Sequence, residues 1–187
     1  MNEWHVIVIA GPERDVRAFV AGFLADRAAD PAQVLFGDDI GLEPASLGER
    51  LRALLQGGHH AVLAPSELAS ALADAVARGG GALGLKVADR HPVAGATFGL
   101  EAEVFSREVS ATIRAALRVL PDGVRFTQHS EQEQEHAEDK GVELYAPAHH
   151  YVYRVRGRLA GPLEGILTVR RSLADIEAVR LTPLHLD

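Results

Sequence analysis

At 187 residues, 47% hydrophobic and 24% charged, the chain has a globular composition and enough length to bury a core without a metal or disulfide staple. Cysteine is absent, which excludes disulfides, thiolate catalysis and cysteine-ligated metal centres. With 19 basic residues against 26 acidic ones the net charge is −7, a balance that disfavours nucleic acid and anionic membrane as partners.

The chain opens MNEWHVIVIAG, with Glu3 ahead of a short apolar run, unlike a basic, longer signal peptide. No stretch approaches the roughly 18 apolar residues of a membrane span, so a cytoplasmic protein is expected. Lys86 and Lys140 are its only lysines; the excess of arginine, with abundant alanine and glycine, points to a bacterial genome rich in G and C.

Val6–Ile9 reads as a strand covered on both faces, and Gly11-Pro12 leads into a helix carrying Val16, Phe19, Val20, Phe23 and Leu24 at helical spacing. Val34–Phe36 is a second strand, followed by the loop Gly37-Asp38-Asp39-Ile40-Gly41. Ser46 and Glu49 form a capping-box pattern before a helix with Leu51, Leu54 and Leu55 on one face. Ala61–Leu63 is a third strand, Ser66 caps a third helix, and 82–87 supplies a possible fourth strand. This alternation predicts an α/β fold: an N-terminal parallel β-α-β-α-β-α layer of three or four strands over 1–88, Rossmann-like in plan.

From 96 to 187 the pattern predicts an α+β region, mainly antiparallel with one long helix. Phe98, Leu100, Ala102 and Val104 alternate with polar positions, and Ser106 caps a helix bearing Val109, Ile113 and Leu117. A polar acidic loop is expected over 128–140. Tyr151, Tyr153 and Val155 alternate with Arg154, Arg156 and Arg158, and a turn near Gly161-Pro162 predicts a hairpin over 150–170. The alternative is one continuous domain that contains both parts.

Three groups of residues are candidates for chemistry. Asp38 and Asp39, after a strand, suit a hard cation or ribose hydroxyls, although aspartate beside glycine is also ordinary turn chemistry. His129, His136 and His149 lie among carboxylates and suit zinc, manganese or iron, but their spacing matches no ligand motif and a solvated acidic loop explains them as well. Arg154, Arg156 and Arg158 project from one strand face at about 7 Å intervals and suit a small anionic ligand, unless nearby glutamates neutralise them. Ser66 reads as a helix cap rather than a nucleophile.

The sequence contains no G-x-G-x-x-G, no phosphate loop and no G-x-S-x-G elbow. The expected function is therefore a non-catalytic binding or assembly protein acting through the seam between the two parts, with no cofactor indicated. Hairpin 150–170 is a candidate surface for homodimerisation. The alternative is a metal-assisted hydrolase or phosphoryl-group enzyme that activates water with Asp38 and Asp39, or with His129, His136 and His149. A third reading is nucleotide binding without turnover in the sheet crevice.

Overall fold

A computed structural model describes residues 3–120, 124–133, 149–159, 169–171, 173, 174, 176 and 178–184; for 125–133 and 149 the description is of the backbone. Strand β1 (Trp4–Ala10) is buried on both faces. Ile7 and Ile9 join one core with Val16, Val20 and Leu24 of α1 (Glu13–Asp26) and Leu72 and Val76 of α3 (Ser66–Gly79). Val6 and Val8 face the other way, into a core shared with the second half of the chain. A strand sandwiched in this manner is apolar at every position, which accounts for the unbroken run Val6–Ile9.

The parallel layer expected over 1–88 is overturned. Strands β2 (Leu35–Phe36), β3 (His60–Pro65), β1 and β4 (Lys86–Pro92) form a four-stranded sheet in the order β2-β3-β1-β4, and every pair is antiparallel. β1 and β2 do run in the same direction with a helix between them, as do β3 and β4, but each pair is split by a strand inserted between its members. Alternation of strand and helix in a sequence does not distinguish adjacent parallel strands from split ones. Helix α2 (Glu49–Gln56) added to the mistaken signal: it lies between two antiparallel neighbours, β2 and β3, and so belongs to a long loop rather than a crossover.

Strand β5 (Thr97–Val104) begins a second four-stranded antiparallel sheet, ordered β6-β7-β5-β8. It contains β6 (Val124–Glu133), β7 (His149–Arg158) and β8 (Val179–Pro183). Helix α4 (Arg107–Leu117) follows β5, and residues 169–171 with 173 and 174 are helical between β7 and β8. The first and second sheets thus repeat one plan, β-α-β-β-α-β with strand order 2-3-1-4.

Two further expectations are corrected here. Residues 128–133 of the expected acidic loop are part of β6, and 134–140 lie outside the described residues. The hairpin partner of β7 is β6, paired from Val124↔Gly157 to Glu133↔His149, and Val169 is helical rather than extended. Apolar alternation places a strand on a face but does not name its neighbour. With β5 on one side and β6 on the other, β7 has no free edge for pairing with a second copy.

Phe98, Leu100, Ala102, Val104, Tyr151, Tyr153 and Val155 line the helix-covered face of the second sheet, and all belong to the core that includes Trp4, Val6, Val8 and Leu63. The buried Tyr153 hydroxyl lies against Ser110 Oγ of α4, which satisfies both polar groups where water does not reach.

The two sheets are also stitched by backbone bonds. β8 pairs with β5 only from Leu100 to Val104, and the remaining edge of β5 is taken by the loop between β2 and α2. Gly99 N–H donates to Ile40 O (3.1 Å), Glu43 N–H to Thr97 O (2.9 Å), and Thr97 N–H to Ser46 Oγ (2.9 Å). Ser46 therefore holds the seam instead of capping a helix, and Gly48 precedes α2. Gly41, at φ +56°, passes so close to β5 that a Cβ there would lie 2.5 Å from Gly99 O. Among the described residues, no helix is long and apolar enough to cross a membrane.

Candidate functional site

The seam loop also walls a cleft of about 140 Å³, lined by Gly37, Asp38, Gly41, Leu42, Pro44, Leu55 and Ala61. Three elements build it. A 3-10 turn, Gly37–Asp39, contributes the first two residues; α2 contributes Leu55; and the start of β3 contributes Ala61. Gly37 packs closely on β3: a Cβ there would lie 3.0 Å from the Ala61 methyl, tighter than ordinary contact. The cleft is smaller than most drug-sized pockets, which matches a ligand of a few heavy atoms.

The neighbouring aspartates of the turn have different surroundings. Asp39 is gripped by a guanidinium fork, Arg17 Nη2 to Oδ1 (2.9 Å) and Nη1 to Oδ2 (3.1 Å), and Arg170 Nη2 approaches Oδ2 at 3.8 Å. Arg17 in turn donates to Glu13 (3.1 Å) and lies 4.3 Å over the Phe36 ring. Its hydrogen bond to Asp39 holds the Arg17 pKa above the usual arginine value, so this fork stays charged. Asp38 lines the cleft with a 62% exposed side chain, and His60 Nδ1 lies 3.4 Å from its Oδ2. Such adjacency was not resolved by the sequence, which presented Asp38 and Asp39 as one pair.

The arginine stripe occupies the polar, open face of the second sheet. Arg154 Nε donates to Glu101 (2.8 Å), Arg158 Nε to Gly95 O (3.3 Å), and Arg156 is exposed. Of the histidine group, His129 and His149 are in register positions opposite Tyr153 and Glu133, and His136 lies outside the described residues. Among the described residues, no three His, Asp or Glu side chains gather as a metal site would require. Ser66 is the first residue of α3 and makes no side-chain cap.

His60 and Leu55 are the site neighbours that sequence reasoning missed. Nothing in the sequence places His60 3.4 Å from a residue 22 positions earlier.

No protein-family model and no curated protein matches the chain. Among solved structures it is similar to an unknown protein from Galdieria sulphuraria, at 14% identity and a TM-score of 0.27, over 98% of each chain. It is also similar to a protein taken to be a glycine cleavage system transcriptional repressor, at 9% identity and a TM-score of 0.25, covering 99% of this chain and 98% of that one. At these TM-scores neither likeness carries an argument about this protein.

Proposed function

We propose that this is a non-catalytic binding protein whose ligand site is the seam cleft. The observation that supports the reading is Asp38: an exposed carboxylate on the wall of a small cleft, beside a chain neighbour that is fully engaged by arginine. A carboxylate at one end, with Leu42, Pro44, Leu55 and Ala61 around it, suits a small ligand that has a cationic or hydrogen-bond-donating head and a short apolar body. Among the described residues the lining carries no hydroxyl or thiol.

Because the cleft is walled by the loop that bonds to β5, a ligand there contacts residues whose position depends on the union of the two sheets. The test is thermal unfolding with isobutylamine at millimolar concentration and constant ionic strength. The wild-type midpoint is expected to rise with amine concentration, as for any ligand that binds only the folded state. Asp38→Asn, which removes the charge, and Leu55→Trp, which fills the cleft, are both expected to abolish the rise. A rise that survives both substitutions, or no rise in the wild type, rejects the cleft as the site.

A further inference from the structure

The carboxylate of the seam cleft has a titratable neighbour. Continuing the register of β2 and β3, Leu35↔Leu63 and Phe36↔Val62, by two residues brings Asp38 level with His60 at the start of β3. His60 is outside the cleft lining, yet its Nδ1 lies 3.4 Å from Asp38 Oδ2. The sheet shields the imidazole: 16% of the His60 side chain is exposed, against 62% for Asp38. A charge on this ring is therefore screened less by water and salt than one on a free surface side chain.

The other charged groups at this end of the first sheet are engaged elsewhere or set apart. Arg17 of α1 is forked onto Asp39 and bonded to Glu13. Arg50 and Arg52 of α2 pair with Asp89 and Glu49, and Arg78, near the end of α3, turns back onto Asp74 O. Strand β1 places apolar Ile9 opposite His60, and Lys86 of β4 pairs in register with Ala10, one strand further away. His59 precedes His60 and binds Leu54 O of α2 through its backbone N–H. Among the described residues, His60 is the one basic side chain within ion-pair distance of Asp38.

Resting on the Asp38 cleft as the ligand site, we propose that His60 gates it by pH, so that a proton on His60 and a cationic ligand on Asp38 exclude one another. A neutral imidazole leaves the charge of the carboxylate to the ammonium head of the ligand. An imidazolium places a positive charge 3.4 Å from the same oxygen, pairs with it and repels the ammonium. Affinity is then full above the ordinary histidine range and falls as pH drops through that range. Aspartates ordinarily protonate roughly 2.5 pH units lower than histidines, so the loss comes from the ring and not from the carboxylate.

The test follows isobutylamine binding to the intact protein by NMR titration, at constant ionic strength, at about pH 8 and about pH 5.5, on either side of the ordinary histidine range. An alkylammonium stays protonated throughout, as lysine does. Wild-type affinity is expected to be about threefold to fivefold weaker at the lower pH, the scale of one partly shielded ion pair. His60→Gln, which keeps a polar side chain but does not titrate, should bind about equally at both, whereas His59→Gln should keep the wild-type dependence. Without any substitution, the His60 ring resonances should titrate at lower pH when the amine is present, the reciprocal of the same competition. A wild type that binds equally at both pH values, a dependence that persists in His60→Gln, or a ring titration that the amine does not move overturns the gate and leaves the cleft standing. No wild-type binding at about pH 8 overturns the cleft reading, and the gate with it.

Discussion

Replacing Asp39 by asparagine keeps the side-chain shape and removes the charge on which Arg17 and Arg170 converge. The fork is bidentate and the carboxylate is only 29% exposed, so its loss exceeds that of an ordinary surface ion pair. Asp39→Asn is expected to cost about 1–2 kcal/mol in urea unfolding, since both guanidinium groups lose an anionic partner in a partly buried place. Asp38→Asn, one residue away, should change stability by less than about 0.5 kcal/mol, because an exposed group away from the packed core contributes little to the fold. Equal losses at the two positions would show that the turn, rather than the fork, holds this segment. Both aspartates were legible in the sequence as candidates. Their different partners were not, because Arg17 is 22 positions away and Arg170 lies in the other half of the chain.

Strand β7 carries its constraint at Gly157, which pairs with Phe98 on one side and Val124 on the other. The Phe98 ring lies across the glycine, in the space that a Cβ would need. Phe98 is fully buried, and a close-packed interior resists displacement of its ring. Gly157→Ala is therefore expected to destabilise by about 1–3 kcal/mol, the usual scale for overpacking, as measured by the urea midpoint at unchanged m-value. A neutral outcome would mean that the ring turns aside at no cost. Alternation of Tyr151, Tyr153 and Val155 made β7 readable as a strand, since one face is apolar and the other arginine-rich. The identity of its neighbours was not readable, because the polar composition of β6 hides a strand and β5 lies about 50 residues earlier in the chain. The acidic composition of 128–133 conceals a strand: Gln, Ser and Glu favour loops, but sheet pairing with β7 overrides that preference.

Across the whole molecule, one core runs through both sheets. Val6, Val8 and Leu63 from the first are buried with Phe98, Leu100 and Tyr153 from the second. Burying an apolar side chain of this size contributes about 1.5–3 kcal/mol, whereas an exposed pair such as Arg171–Asp30, at 3.3 Å, contributes about 0–1 kcal/mol. The union of the sheets thus rests on the apolar core and the backbone bonds of the 40–46 loop, with the ion pairs as minor additions. A single calorimetric transition is expected, with van't Hoff and calorimetric enthalpies in agreement. Two resolved transitions would mean that the sheets unfold independently despite the shared core.

Local chemistry was enough for the sequence to determine where β1, β3, α1, α3, β5, α4 and β7 form. Periodic apolar spacing, the Ser106 cap and the glycine breaks each act over a few residues, so they can be read along the chain. Its charge and lack of cysteine likewise bounded the chemistry. Strand order was a matter for tertiary structure. The inserted strands that turn the parallel layer expected over 1–88 into an antiparallel sheet, the docking of the 40–46 loop on β5, and the different partners of Asp38 and Asp39 all depend on contacts between residues far apart in the chain. Those contacts are selected by mutual burial and hydrogen bonding in the folded state, and no local pattern encodes which of several similar apolar faces will meet.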